Sequence, residues 1–262
     1  MNILETIVEF KREELARRKQ EMRPSSLRDM PHSRRQTLPL GESLRKAAPF
    51  AIIAEIKRSS PSGGSLREDC SPAEIAGDYA CHGAAAVSVL TDRRFFGGSL
   101  EDLAAVRETA GVPVLRKEFI VDDYQITEAK AYGADAVLLI AAILDKSQLG
   151  EYVAAAAELQ LEPLVELYDV REIDKLDFDR MRLIGINNRN LKTLEVDFRR
   201  SIGFRTHLPA SATVVSESGI TSGSQLKLLR EAGVHAALIG EHLMKAASPG
   251  EALAALLEEV GP

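Results

Sequence analysis

Beyond Pro49 the chain switches regularly between short apolar runs and longer stretches of helical periodicity. The apolar runs are Ala51–Lys57, Ala84–Thr91, Val112–Phe119, Ala134–Ala141, Glu162–Tyr168, Met181–Asn187, Ala212–Ser218 and His235–Gly240. Runs of this length ending in turn residues predict strands of a parallel sheet. They recur every ~20–33 residues, the size of a strand, a helix and two loops. Helices are predicted between them. Ser71-Pro-Ala-Glu supplies an N-cap, a proline at N1 and an acidic first turn for a helix reaching Cys81. Leu100–Thr109, Asp123–Ala131, Lys146–Leu159, Val170–Lys175, a weak turn near Phe198, Ser222–Glu231 and Pro249–Glu259 complete the set. Gly83, Gly111, Gly133 and Gly233 stand where helices end. Eight alternating units imply a parallel sheet, and eight strands close a barrel. The alternative, an open doubly wound sheet, calls for a Gly-x-Gly-x-x-Gly turn after the first strand, which is absent. The expected fold class is therefore α/β, a single (β/α)8 TIM barrel.

Residues 1–48 precede this pattern and form a helical extension to the barrel of residues 49–262. Ile3, Ile7, Phe10 and Leu15 share one helical face and charges fill the other. An amphipathic helix needs an apolar partner, so it is expected to pack on the barrel and partly cover one rim. Met22–Pro39 is polar, with Pro24, Pro31 and Pro39, and reads as an extended segment with at most short helices. Its arginines Arg23, Arg28, Arg34 and Arg35 form either a solvated face or a lid that brings positive charge to an anionic ligand.

Composition narrows the function. Of 262 residues, 45% are apolar and 27% charged, as in a globular protein. A net charge of −6 gives no footprint for nucleic acid. No apolar run is long enough to span a membrane. The N-terminus, broken by Glu5 and Glu9, does not read as a signal peptide. Cys70 and Cys81 have neither metal nor redox spacing, which fits a reducing cytoplasm. Five scattered histidines offer no zinc pair, so no metal is expected.

The strand ends carry the chemistry. Glu55 and Lys57 are two apart and share the inward face of Ile53. Opposite charges aimed inward are costly unless something uses them. The loop Ser59-Ser-Pro-Ser-Gly-Gly64 follows and reads as polar and mobile. Later strands end in Lys117, Glu118 and Phe119, in Glu166, in Asn187 and Arg189, and in Glu217 and Ser218. Catalytic groups of barrels sit at this end, so these residues outline a polar cavity. Glu217-Ser-Gly-Ile220 and Ile239-Gly-Glu241 put small residues at the last two strand ends, where backbone N–H groups can meet a phosphate. Glu241 would then have to turn its carboxylate away. Phe95, Phe96 and Phe119 on the same rim either cap the core or hold an aromatic ring.

Six segments together resemble indole-3-glycerol-phosphate synthases: Ala54-Glu-Ile-Lys-Arg-Ser-Ser-Pro-Ser-Gly63, Leu115-Arg-Lys-Glu-Phe-Ile120, Glu162-Pro-Leu-Val-Glu166, Gly185-Ile-Asn-Asn-Arg-Asn-Leu191, Ser216-Glu-Ser-Gly-Ile220 and Leu238-Ile-Gly-Glu241. The resemblance spans nearly the whole chain. It implies decarboxylating ring closure and dehydration of 1-(2-carboxyphenylamino)-1-deoxyribulose 5-phosphate to indole-3-glycerol phosphate, a step of tryptophan biosynthesis, without cofactor or metal. It implies Lys117 as general acid and Glu166 as the carboxylate of the dehydration. Lys57 matches the lysine that binds the substrate carboxylate, with Glu55 beside it, and Asn187 and Arg189 match a pair near the aromatic moiety. Glu217 matches a carboxylate that meets sugar hydroxyls. Ser60, Ser218, Gly219, Gly240 and Glu241 fall at the phosphate end, and Phe96 and Phe119 at the ring pocket. Two departures stand out: His242 replaces a small hydroxyl residue common in the family, and the chain has no tryptophan. The competing readings are phosphoribosylanthranilate isomerase, which would use a cysteine at the first strand end, and a non-catalytic phosphosugar sensor. The expected partner is a phosphorylated small molecule, with no nucleic acid and no membrane, and the chain is expected to act as a monomer or weak homo-oligomer.

Overall fold

The computed structural model describes residues 3–61, 63–67, 69–189 and 195–261. Ser62, Asn190 and Leu191, which belong to the sequence motifs, lie outside the described residues. Eight parallel strands close into a barrel: β1 (Ala51–Ile56), β2 (Ala86–Leu90), β3 (Val114–Lys117), β4 (Ala136–Ile140), β5 (Glu162–Leu167), β6 (Leu183–Asn187), β7 (Thr213–Glu217) and β8 (Ala236–Ile239). Each strand pairs with its sequence neighbours, and β1 pairs with β8 to complete the ring, as in Ile53 opposite Leu238. A TIM barrel is thus the fold, as the eight apolar runs predict, with each strand one to four residues shorter than its run.

Helices α1 (Ile3–Glu21), α2 (Pro24–Arg28) and α3 (Leu40–Lys46) precede the barrel. The connections carry α4 (Pro72–Cys81), α5 (Arg93–Phe96), α6 (Leu100–Ala110), α7 (Tyr124–Ala131), α8 (Lys146–Glu158), α9 (Arg199–Arg205), α10 (Gly223–Glu231), α11 (Glu241–Lys245) and α12 (Pro249–Val260). Ser71 caps α4 by accepting from the Glu74 amide at 3.4 Å. Val170–Lys175 winds as a 3-10 helix, capped by Asp169. Within the loop after β1, Ser59–Ser60 and Gly64–Ser65 pair as a small antiparallel hairpin.

Strand side chains alternate between two cores. One face packs against the helices, for example Ile52, Ala54 and Ile56 of β1 with Tyr79 of α4. The other fills the barrel with Ala51, Ile53, Leu115, Leu138, Leu164, Leu183, Val215 and Leu238. Leu40 and Leu44 of α3 join this inner cluster. Ser43 Oγ donates to the Ala85 carbonyl at 2.6 Å and the Gly41 amide donates to Glu162 at 2.8 Å, so α3 closes the end where strands begin. Each such fully buried leucine is worth about 1.5–3 kcal/mol of removed apolar surface.

The arginine-rich segment behaves as a structural strap. Arg35 pairs with Asp135 at 2.6 Å, just before β4 and therefore at the strand-start end. Arg107 holds the other oxygen of the same carboxylate, also at 2.6 Å. Neither Arg23, Arg28, Arg34 nor Arg35 lines the cavity at the opposite rim, so the lid alternative for this segment does not hold.

Candidate active site

A cavity of about 720 Å³ opens at the C-terminal ends of the strands. Glu55, Lys57, Ser60, Phe96, Lys117, Phe119, Glu166, Asn187, Arg189, Ser218, Gly219, Gly240 and Glu241 all line it. Glu217 sits just beneath, 1% exposed, and reaches the cavity through Lys117. The period-two strand pattern explains the convergence. Ile53 and Leu115 point into the barrel, so Glu55 and Lys117, two residues on, point into its mouth. Leu164, Val215 and Leu238 set the same parity for Glu166, Glu217 and Gly240.

Lys117 is the centre of the polar cluster. Its ammonium lies 3.2 Å from Glu166 and makes a closer contact with Glu217. Burial alone would lower the lysine pKa, but the carboxylates of Glu217, Glu166 and Glu55 outweigh it and the net direction is upward. The ammonium is therefore charged at neutral pH. Burial pushes the Glu217 carboxyl up to about 8, and the nearby Glu166 carboxylate adds to the rise against the pull of Lys117. Glu166 moves the other way. Burial would raise it, but the Lys117 charge and hydrogen bonds from Glu217, Tyr168 and Asn187 prevail and hold it down. At neutral pH the mouth thus combines a charged lysine, an ionised carboxylate and a neutral carboxyl.

Lys57, just beyond β1, lies 2.8 Å from Glu55. Asn187 donates to the Tyr168 hydroxyl at 3.0 Å, and its oxygen accepts from the Arg189 amide at 3.0 Å. Tyr168 was missed as a site residue in the sequence, although it stands two beyond Glu166 and so shares its inward parity. The Phe96 and Phe119 rings lie 6.0 Å apart with planes at 33°. Phe95 does not join them; it packs edge-on against Phe10 of α1 at 6.0 Å.

The last two strand ends form a small-residue cradle. Ser218 and Gly219 both have left-handed backbones, φ 75° and 79°. A Cβ at Gly219 would collide with Val196, and one at Gly240 with the Glu55 carboxylate, so neither position tolerates a side chain without rearrangement. Asn188 braces this turn by donating to the Ser218 carbonyl at 2.9 Å and to Ser216 Oγ at 2.9 Å. Ser60 Oγ, at the hairpin facing the cradle, accepts from the Gly63 amide at 2.9 Å. Glu241 turns its carboxylate to Lys245, 2.6 Å away on the same helix. His242 also lines the cavity.

Helix α1 roofs the opening with Ile3, Leu4 and Ile7. Its buried residues are Leu4, Ile7, Lys11 and Leu15, so the centre of the face is a lysine and Phe10 lies to one side. The sequence contained the signal, because Lys11 continues the helical spacing of Ile7 and Leu15. Among the described residues there is no cluster of His, Cys, Asp and Glu able to hold a metal ion, and no helix is long and apolar enough to cross a membrane.

A family model described as indole-3-glycerol phosphate synthase matches residues 4–256. Among curated relatives, the indole-3-glycerol phosphate synthase of Salinibacter ruber is 47% identical over 261 residues, covering 99% of this chain and 96% of the relative. That of Desulfotalea psychrophila is 46% identical over 257 residues, covering 97% and 98%. That of a Polaromonas species is 45% identical over 258 residues, covering 97% and 98%. Among solved structures, a thiamine phosphate pyrophosphorylase from Pyrococcus furiosus superposes with a TM-score of 0.58 at 15% identity, covering 86% of this chain and all of that one. At that identity the likeness concerns the barrel alone.

Proposed function

The chain belongs to the indole-3-glycerol phosphate synthase family, and from that premise we propose how its rim performs the reaction. The enzyme is a carboxy-lyase of tryptophan biosynthesis. It converts 1-(2-carboxyphenylamino)-1-deoxyribulose 5-phosphate to indole-3-glycerol phosphate, carbon dioxide and water. The observation that carries the assignment of roles is the Lys117–Glu166–Glu217 cluster at the barrel mouth.

The ring carbon that bears the carboxylate attacks the ketone carbon, and the ketone oxygen takes a proton from Lys117. The carbon–carboxylate bond then breaks, its electrons restore the aromatic ring, and carbon dioxide leaves. The new hydroxyl departs as water with a proton from the adjacent methylene carbon, and Glu166 handles this second transfer. A raised lysine pKa secures the charge but weakens proton donation. Glu217 offsets this when its carboxyl turns to the sugar hydroxyls and loosens its hold on the ammonium. Lys57 and Arg189 meet the substrate carboxylate, with Asn187 beside the aromatic moiety and Glu55 orienting Lys57 at 2.8 Å. Phe96 and Phe119 hold the ring. The phosphate takes backbone donors from Ser218, Gly219, Gly240 and Glu241, and Ser60 from the hairpin. No step as written calls for a cofactor. Residues 1–48 are read as an extension packed on the barrel, with α1 over the rim and α3 at the opposite end, and 49–262 as one structural domain, acting in the cytoplasm as a monomer or weak homo-oligomer.

A structure with the product bound tests these positions. Its phosphate is expected between Gly219 and Gly240, against the start of α11, with the indole beside Phe96 and Phe119. A phosphate seated elsewhere, for example on Arg34 and Arg35, would overturn the arrangement.

A further inference from the structure

Lys11 is 0% exposed, and its ammonium is surrounded by three carboxylates from three parts of the chain. Glu14 on the same helix lies at 2.7 Å, Asp92 after β2 at 2.8 Å and Glu118 after β3 at 3.3 Å. Burying a lysine this deeply is costly unless its partners are well placed. Here each remote partner also holds one half of the aromatic pocket. The other oxygen of Asp92 caps α5, accepting from the Phe95 amide at 2.7 Å, and Phe96 is the last residue of that helix. Glu118 accepts from the Phe119 amide at 2.9 Å through the same oxygen that faces Lys11. Its second oxygen accepts from Thr91 at 2.9 Å, and Arg116 stands 3.6 Å away. One ammonium from α1 therefore ties together the two backbone segments that present Phe96 and Phe119. The Phe10–Phe95 contact and Arg94, 4.1 Å over the Phe10 ring, flank the same anchor.

We propose that Lys11 is a positioning residue for the aromatic subsite: it sets the Phe96–Phe119 spacing and thereby selects the aromatic half of the substrate. The inference rests on the reading that these two rings hold that half. A residue that only fastens α1 would affect folding stability. A residue that sets the pocket also changes ring binding without touching the phosphate cradle on the far side.

The test uses 2-aminobenzoate and inorganic phosphate as separate competitive probes of the two halves, on the full chain well below its melting temperature. Lys11→Met is expected to raise KM and weaken 2-aminobenzoate inhibition by about tenfold, within the range that misplacement of a binding group produces. Inhibition by phosphate is expected to stay as in the wild type. Unchanged 2-aminobenzoate inhibition, or equal weakening of both probes, overturns the proposal. Should Lys11→Met fail to fold, Lys11→Arg keeps the charge but moves the donors. It is expected to weaken 2-aminobenzoate alone, and an unchanged constant contradicts the proposal. Phe96→Ala separates the two levels. If it weakens 2-aminobenzoate and the Lys11 variants do not, the positioning role fails alone; if none of them does, the ring-pocket reading fails with it.

Discussion

Lys117→Met is expected to lower kcat by about 10²–10⁴-fold, the usual contribution of a positioned general acid. That corresponds to roughly 3–5 kcal/mol of barrier at ~1.36 kcal/mol per decade. Methionine nearly preserves the shape and removes the only ammonium that touches both Glu166 and Glu217 among the described residues. Substrate affinity should fall far less, because Lys57, Arg189 and the cradle at Gly219 and Gly240 remain. The variant also leaves two buried carboxylates without their cation, so folding must be verified by circular dichroism beside kcat and a dissociation constant. A folded variant with near wild-type kcat would transfer the acid role to Lys57, which also lines the mouth, 2.8 Å from Glu55.

Glu166→Gln is expected to reduce kcat by about 10²–10⁴-fold, since it removes a titrating group with little change of volume. Single-turnover kinetics should show loss of carbon dioxide ahead of loss of water, so that a decarboxylated, hydrated intermediate accumulates. Simultaneous slowing of both steps would argue that Glu166 serves ring closure instead. Its neighbour supplies the pH signature. The Glu217 carboxyl stays protonated up to about 8. When it ionises, the added negative charge binds the Lys117 proton more tightly and weakens the acid. The kcat/KM profile is therefore expected to fall through an apparent pKa near 8, a value belonging to the Glu166–Glu217 pair of the free enzyme. Glu217→Gln should abolish that limb. Stability has the same sign. The folded pKa of about 8 exceeds the ordinary 4.5, so the fold binds this proton more tightly than the unfolded chain does. The stability it contributes is complete below the ordinary value and is lost as pH rises through the folded one. Glu217→Gln should flatten the melting temperature across that window.

Much of this site was legible because a strand has a period of two. Once Ile53 and Leu115 are taken as core, Glu55, Lys57 and Lys117 must face the barrel mouth, and the structure places them there. Glycines at the ends of periodic stretches located the helix termini, and Gly83, Gly111, Gly133 and Gly233 all adopt positive φ. Short elements were less legible. Six residues at Val170–Lys175 do not separate a 3-10 helix from an α-helix by periodicity. The Ser59–Ser60 hairpin has too few residues to show alternation. Lys11 has the spacing of the buried face but the charge of the solvent face, and it is buried. Its reason for burial, Asp92 and Glu118, lies far along the chain and leaves no local trace. For the same reason the sequence leaves two readings of the arginines before Pro39, because Asp135, which holds Arg35 at the end of the barrel away from the site, lies a hundred residues on.

Turnover of the purified full chain decides whether this barrel mouth closes an indole ring. The assay supplies 1-(2-carboxyphenylamino)-1-deoxyribulose 5-phosphate and follows indole absorbance and released carbon dioxide together. The predicted result is indole-3-glycerol phosphate and carbon dioxide appearing in equal amounts, with both rates falling together in Lys117→Met. Unchanged substrate, or an isomerised product that keeps its carboxylate, would mean that this mouth does not close the ring.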